Sequence, residues 1–483
     1  MKRKFVTNLA FLLFLNLLIK PFYVLGIDVG IQNTVTAASY GIYFPLLSLS
    51  LMFQVILDMG IENFTRREIA RHQNGLSGYL SNILVIRIFL GIIYFVLCLI
   101  IGILWNYNGY QIKLLSILLF NQFLASLILY LRANIGGLHL FKTESVISVL
   151  DKTLLIIICG TLLWGNVTKQ AFKIEWFIYA QTFTYFVTLL VSFMVVLTKT
   201  GRFKLTFEIS DYLSIIKKSL PYALLIFLMA SYYRIDSILL ERILPEGKIQ
   251  AGIYAHSFRL LDMLQNYGYL FALILLPMFA KMLKNRESVT QLVHIASVLI
   301  IIPAIMVSVA SVAYANELIS LLYKEHLMLS SRVFRIIMPG FLGICSTYIF
   351  GSLLTANGNL KVLNIVAGTG VVISLTLNFM LIPRIGVVGS AVANLSAQGL
   401  TALAQVIVAT IIFKFKINYR LIIQLLIYFS AAILIVLLVR RMPIPWFYQI
   451  IIFAFTSILL AFILKIIDLN SLYKLIRFGD KVN

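Results

Sequence analysis

Charge is what this sequence has least of. Only 12% of its 483 residues are Asp, Glu, Lys or Arg, against 61% hydrophobic and a mean hydropathy of +0.98. Soluble domains carry roughly 25% charged residues, so a string of soluble domains is excluded, and the apolar excess excludes disorder. Acidic residues are scarcer than basic ones, 18 against 40, for a net charge of +22. In a soluble chain that balance would point to nucleic acid. In a chain this apolar it is read as the basic cytoplasmic loops of a membrane protein, and no nucleic-acid partner is expected. Strand-like alternation is missing, which excludes a β-barrel.

Catalytic signatures are missing too. There is no GxxxxGK[ST] run for a nucleotide-driven motor, no HExxH pair, and none of the eight aspartates has a second aspartate two positions on. Cys98, Cys159 and Cys345 lie in apolar runs without metal-ligand spacing and are read as inert buried thiols. His294 and His326 are isolated and read as loop or interfacial residues. No loop has room for a catalytic domain. The expectation is a protein that is not an enzyme and needs no metal or cofactor.

Long apolar runs are what the sequence does have. Met1–Lys4 followed by Phe5–Ile19 imitates a signal peptide, but Lys20-Pro21-Phe22-Tyr23 follows without a small-x-small cleavage site, so an uncleaved first span is expected. About 20 apolar residues cross a bilayer as helix, and fourteen segments qualify: 5–27, 40–60, 81–104, 113–138, 146–165, 174–197, 216–240, 251–280, 290–315, 333–355, 361–382, 386–413, 420–439 and 446–465. Counting Lys20, Arg87, Arg132, Arg234 and Arg259 inside spans and assigning every other Lys and Arg, Lys152 included, to the adjoining loop, 24 of the forty fall on the side of the termini and 11 on the other. The bias predicts that both termini are cytoplasmic.

The longest connection, 198–215, is basic and follows the sixth span. It is read as a linker between an N-terminal lobe, 1–197, and a C-terminal lobe, 216–413, with two added spans and a cytoplasmic tail in 414–483. Gly41-Ile42-Tyr43 opens the second span and Gly252-Ile253-Tyr254 the eighth, 211 positions later. This predicts an all-α membrane protein of about fourteen helices, its two six-helix lobes related by a parallel repeat.

An ionised residue inside a span is costly and marks function by default. The five intramembrane cations are Lys20, Arg87, Arg132, Arg234 and Arg259. Arg87 and Arg132 lie about six residues from the terminus side, roughly 9 Å at 1.5 Å per residue, and either snorkel to the headgroups or face a cavity. Lys20 is about 22 Å deep, Arg234 similarly so, and Arg259 about 12 Å from the outer face. Helical stripes accompany them: Asn16, Lys20 and Tyr23; Tyr43, Ser50, Gln54 and Asp58; Tyr222, Tyr233, Arg234 and Asp236; His256, Arg259, Asp262, Asn266 and Tyr269. The stripes either line a hydrated cavity or bind helix to helix. Pro21, Pro45, Pro221, Pro277, Pro303 and Pro339 fall inside spans or at their ends, where kinks are expected.

The blocks Gly41-Ile42-Tyr43-Phe44, Asp58-Met59-Gly60-Ile61 and Arg66-Arg67-Glu68-Ile69-Ala70, with Lys20-Pro21-Phe22-Tyr23 before them, resemble bacterial polysaccharide transport proteins. So does Leu377-Asn378 through Pro383-Arg384-Ile385-Gly386-Val387-Val388-Gly389-Ser390-Ala391. The chain is similar to Wzx-type O-antigen flippases of the multidrug/oligosaccharidyl-lipid/polysaccharide exporter superfamily. That resemblance implies a multi-pass protein of the bacterial inner membrane. It would move undecaprenyl-diphosphate-linked oligosaccharide to the outer leaflet by alternating access, for O-antigen and lipopolysaccharide assembly. Lys20, Arg234 and Arg259 would then face the diphosphate, and Asp58, Asp236 and Asp262 are the candidates for coupling to H+ or Na+. Arg87, Arg132, Asn16, Tyr23, Gln54, His256, Asn266 and Tyr269 are candidates for cavity or interface. Implied partners are the lipid-linked glycan, membrane lipid and other polysaccharide-assembly membrane proteins. Competing readings are a drug/ion antiporter on the same fold, a flippase for the peptidoglycan lipid precursor and, in a different class, a membrane-embedded polysaccharide polymerase. The antiporter predicts carboxylates rather than cations in the cavity, and the polymerase a long outer loop.

Overall fold

A computed structural model describes residues 14–59, 76–138, 140–165, 167–168, 170–200, 209–415 and 419–466. The described residues are helical, without strands, and they divide into two compact units, 1–252 and 253–483. Every backbone N–H and C=O inside a bilayer needs a partner within the protein, and helices satisfy that segment by segment.

The first unit holds α1 (Phe14–Thr34), α2 (Thr36–Met52), α3 (Leu76–Leu104), α4 (Gly109–Gly137), α5 (Phe141–Trp164), α6 (Ile174–Thr200) and α7 (Ile209–Ile243). The boundary with the second unit falls in the first turns of α8 (Gly247–Lys284). In the first unit α4 packs on α6, α2 on α7 and α4, and α5 on α6 and α1. The second unit continues with α9 (Thr290–Ala313), α10 (Ala315–Leu322), α11 (Leu327–Ile337), α12 (Gly340–Ala356), α13 (Leu360–Ile385), α14 (Val387–Phe413), α15 (Tyr419–Val439) and α16 (Trp446–Ile463). There α14 packs on α13, α12 and α11, and α15 and α16 pack on each other and on α9.

Among the described residues, thirteen helices are long and apolar enough to cross a membrane. The remaining expected segment, 40–60, is α2, a 17-residue helix that ends in the 3-10 turn Gln54–Leu57. The first span runs on to Thr34 rather than stopping at 27, because Asp28 is absorbed inside it. Pro45, Pro221, Pro277 and Pro303 lie inside helices, and Pro339 immediately precedes α12. Two residues beyond Pro21, the backbone of α1 widens into a π-helical stretch, Tyr23–Asp28, with Tyr23, Ile27 and Asp28 buried. Such π segments are frequent at functional sites. Arg66-Arg67 and residues 201–208 of the linker lie outside the described residues, while its two ends belong to α6 and α7.

The repeated Gly-Ile-Tyr has a packing reason. A Cβ on Gly41 would stand 1.7 Å from the carbonyl oxygen of Lys248 and 2.8 Å from the nitrogen of Gly252, and one on Gly252 would stand 2.0 Å from the carbonyl oxygen of Ala37. Each glycine is the point at which α2 and the start of α8 bring backbone against backbone. The following tyrosines, Tyr43 and Tyr254, are both buried.

Candidate functional site

The first unit gathers cations from three helices. Lys20 on α1 experiences Lys152 on α5 and Arg132 on α4 as like charges, and Asp151 as an opposite one. The Lys152 ammonium stands 3.0 Å from the Asp151 carboxylate and donates to the Tyr185 hydroxyl at 3.3 Å. It also lies over two aromatic faces, 5.2 Å from the Tyr23 centroid and 5.1 Å from that of Tyr185. One turn before Lys152, the Asn16 amide donates to the Ser148 hydroxyl at 3.1 Å and ties α1 to α5. Asn16, Lys20, Tyr23 and Arg132 of the expected set are therefore assembled with a cation that the sequence reading counted among the loops. Lys152 is eleven residues into α5. Its place inside the apolar run 146–165 was the signal available in the sequence.

Arg87 does not reach for the headgroups. It is 1% exposed, with its guanidinium ion-paired to Asp58, donating to the Ser126 hydroxyl at 2.8 Å and carbonyl at 3.2 Å and lying 4.9 Å from the centre of the Tyr130 ring. It fastens the end of the 3-10 turn to α3 and α4, so Asp58 is held in an ion pair. Gln54 begins that 3-10 turn and is half-buried. Burying an unpaired charge would cost several kcal/mol, and the Asp58 pair with its surrounding oxygens offsets that for Arg87.

Asp28 is a carboxylate that the sequence reading missed. It is fully buried in the π-helical part of α1, where the Tyr40 hydroxyl donates to one oxygen at 2.9 Å and the Gln32 amide to the other at 3.1 Å. The apolar residues resuming after it, Val29-Gly30-Ile31, were the clue that the span continues. On α7, Asp236 is also fully buried, and the Arg234 guanidinium lies 5.4 Å from the Tyr233 ring centre. Near the end of α7 the Glu241 carboxylate accepts from the Gln111 amide at 2.6 Å, and Arg242 stacks on Tyr107 at 3.9 Å. Tyr107 sits in the loop before α4, and burial raises its phenol pKa above the ordinary 10.

In the second unit the stripe on α8 does several jobs. His256 is buried, its Nδ1 2.8 Å from the Ser330 hydroxyl, and its ring stacks on Tyr323 at 4.1 Å. The Tyr323 hydroxyl donates to the His256 carbonyl at 2.9 Å. This makes His256 a fastener between α8 and the α10–α11 hairpin. Arg259 faces Asp262 one turn on at 3.8 Å. The Asn266 amide donates to the Asp262 carbonyl at 3.1 Å, and Tyr269 is exposed beside Tyr348. Lys20 and Arg234 belong to the first unit and Arg259 to the second. Among the described residues no cluster of His, Cys, Asp and Glu could hold a metal ion.

Chemically, the assembly in the first unit suits an anion with polar or ring-bearing attachments. Lys and Arg bind phosphate oxygens by charge-assisted hydrogen bonds, and the tyrosines present both aromatic faces and hydroxyls.

The profile of a family described as polysaccharide biosynthesis protein matches residues 5–283, more than half of the chain. No curated protein matches the sequence. Solved structures share the fold. A lipid II flippase, MurJ, in an inward closed conformation superposes with a TM-score of 0.71 at 13% identity, covering 95% of this chain and 97% of that one. An inward-facing multidrug resistance MATE family transporter of the MOP superfamily gives 0.66 at 14% identity, covering 82% and 94%. A MOP superfamily transporter from Pyrococcus furiosus gives 0.60 at 14% identity, covering 85% and 95%.

Proposed function

Because the chain belongs to the polysaccharide biosynthesis protein family, we propose that it is a flippase. Its cargo is a polyprenyl-diphosphate-linked oligosaccharide, carried from the inner to the outer leaflet of the bacterial cytoplasmic membrane for O-antigen or related surface polysaccharide. The observation that carries this reading is the convergence of Lys20, Arg132 and Lys152 beside Tyr23 and Tyr185. A cation inside a span costs roughly 2.5–3.5 kcal/mol on the insertion scale. Three such cations, with Lys152 and Arg132 both acting on Lys20 as like charges, make sense where a strongly anionic group visits. A cationic drug would be repelled by the same cluster. The fold likeness to a protein named as a lipid II flippase adds support for a lipid-linked cargo.

In this reading Lys20, with Arg132 and Lys152, receives the diphosphate, and Arg234 and Arg259 contact it as alternating access carries it across. Asp236 and Asp262 remain candidates for ion coupling, and buried Asp28 joins them. Asp58 keeps its candidacy only through release of Arg87.

The test reconstitutes the protein in vesicles with a fluorescent diphosphate-linked oligosaccharide on the inner leaflet and a glycan-cleaving enzyme outside. Protein-dependent cleavage, falling at least tenfold in both Lys20→Gln and Arg234→Gln, is the expected result. Cleavage of no lipid-linked glycan, together with ion-driven efflux of a cationic dye, would replace the flippase by an antiporter. Cleavage of the peptidoglycan precursor alone would change the cargo.

A further inference from the structure

The Lys152 site is more than a patch of positive charge, because it contains its own counter-ion. Lys20, Arg132 and Lys152 bring three positive charges and Asp151 one negative charge, and among the described residues Arg132, Lys152 and Asp151 are the charged groups acting on Lys20. Asp151 lies 3.0 Å from the Lys152 ammonium, with about a fifth of each side chain exposed, so the pair is not sealed within the protein. The Tyr23 and Tyr185 rings hold the ammonium at 5.2 and 5.1 Å, which helps to fix its position without adding charge. The Asn16–Ser148 bond at 3.1 Å keeps α1 and α5 together at this level, with Lys20 one turn further along α1.

We propose that the Asp151–Lys152 pair sets the charge of this site to match a diphosphodiester, which carries two negative charges, and to discriminate against a phosphodiester, which carries one. The net charge of +2 is neutralised by a lipid-diphosphate-sugar and left half unneutralised by a lipid-monophosphate-sugar. Asp151 occupies Lys152 while the site is empty, which spares an uncompensated cluster of three cations in a low-dielectric interior. An arriving diphosphate takes over the ammonium, and Asp151 limits how tightly it is held, so that the headgroup can also leave. Asp151 is thus a specificity residue acting through Lys152. This inference rests on the flippase reading for its cargo, but it concerns binding rather than transport.

The test measures binding to the purified full chain in detergent, using two short-chain probes. These are farnesyl-diphosphate-N-acetylglucosamine and farnesyl-phosphate-N-acetylglucosamine, each at two salt concentrations. Wild type is expected to favour the diphosphate roughly ten- to a hundredfold, the range of one charge-assisted hydrogen bond. Lys152→Gln reduces the site to a net single charge and brings the ratio to within about threefold of unity, whereas Lys152→Arg preserves it. Asp151→Asn tightens both probes, steepens the salt dependence and slows diphosphate release. An unchanged ratio in folded Lys152→Gln, or weaker binding of both probes to Asp151→Asn, would overturn the proposal. A wild-type protein that binds neither probe would overturn the flippase reading itself, whereas binding with a ratio indifferent to both positions sinks only the charge-matching inference.

Discussion

Arg87 shows what a single residue can and cannot announce in a sequence. Its depth in the apolar run was legible, and so was the polar character of Asp58. Their pairing was not, because 29 positions and a change of helix separate them. Asp28 has one partner on its own helix, Gln32 four positions on, and a second, Tyr40, that presents its hydroxyl only after the chain has turned into α2. Charge alone assigns Lys152 to a loop, and the structure places it inside α5. Two tyrosine faces and Asp151 are what make the interior tolerable for it. A stability prediction follows at this scale. Asp58→Ala leaves the Arg87 guanidinium buried without its carboxylate, and removing one partner of a buried pair costs about 3–5 kcal/mol. The low end, about 3, applies because a third of the Asp58 side chain is exposed. Denaturant unfolding in detergent is expected to show that loss. The double variant Asp58→Ala, Arg87→Met recovers at least half of it, since no stranded charge remains. Equal stability of wild type and Asp58→Ala would mean that the Ser126 oxygens suffice.

The α13–α14 hairpin contains the Asn378 to Ala391 segment that carries much of the family resemblance, and its pattern is a packing requirement. Gly386 makes the corner at φ +60°, a region L side chains rarely adopt. Three residues on, a Cβ at Gly389 would stand 2.6 Å from the carbonyl carbon and 2.7 Å from the carbonyl oxygen of Leu381. Across the same approach the Ser390 hydroxyl donates to the Asn378 side-chain oxygen at 2.8 Å. The sequence made the turn visible through Pro383 and the glycines. It could not show that Asn378 and Ser390 join the two helices, because helical periodicity carries no information about a neighbour's register. Gly389→Ala is expected to cost about 1–3 kcal/mol, since backbone cannot give way as a side chain can. Gly399→Ala, on the same helix with open space around it, is expected to be neutral or to stabilise by up to about 1 kcal/mol. Thermal unfolding of both variants in one detergent checks the pair, and a Gly389→Ala protein as stable as the Gly399→Ala protein would contradict the close approach.

The whole molecule is legible in the sequence through the number of its apolar segments and the sum of its loop charges, and both survive errors of a few residues. Among the described residues each of the fourteen expected segments coincides with helix, even though α1 runs seven residues past its expected end and α2 breaks early. The excess of Lys and Arg on the side of the termini predicts an orientation with that side cytoplasmic, since basic loops resist translocation. Moving Lys152 into the interior changes that excess by one and leaves its sign untouched. The loops flanking α9 turn this into a measurement. Glu287 precedes α9 and Glu325 follows α10; both are exposed and lie at opposite ends of one crossing. The native cysteines Cys98, Cys159 and Cys345 are buried and do not compete for reagent. In intact bacteria, Glu325→Cys is expected to react with a membrane-impermeant maleimide, and Glu287→Cys to react only after the membrane is opened. The reverse pattern would place the basic side outside, against the charge bias, and would also reverse the direction in which the proposed cargo crosses.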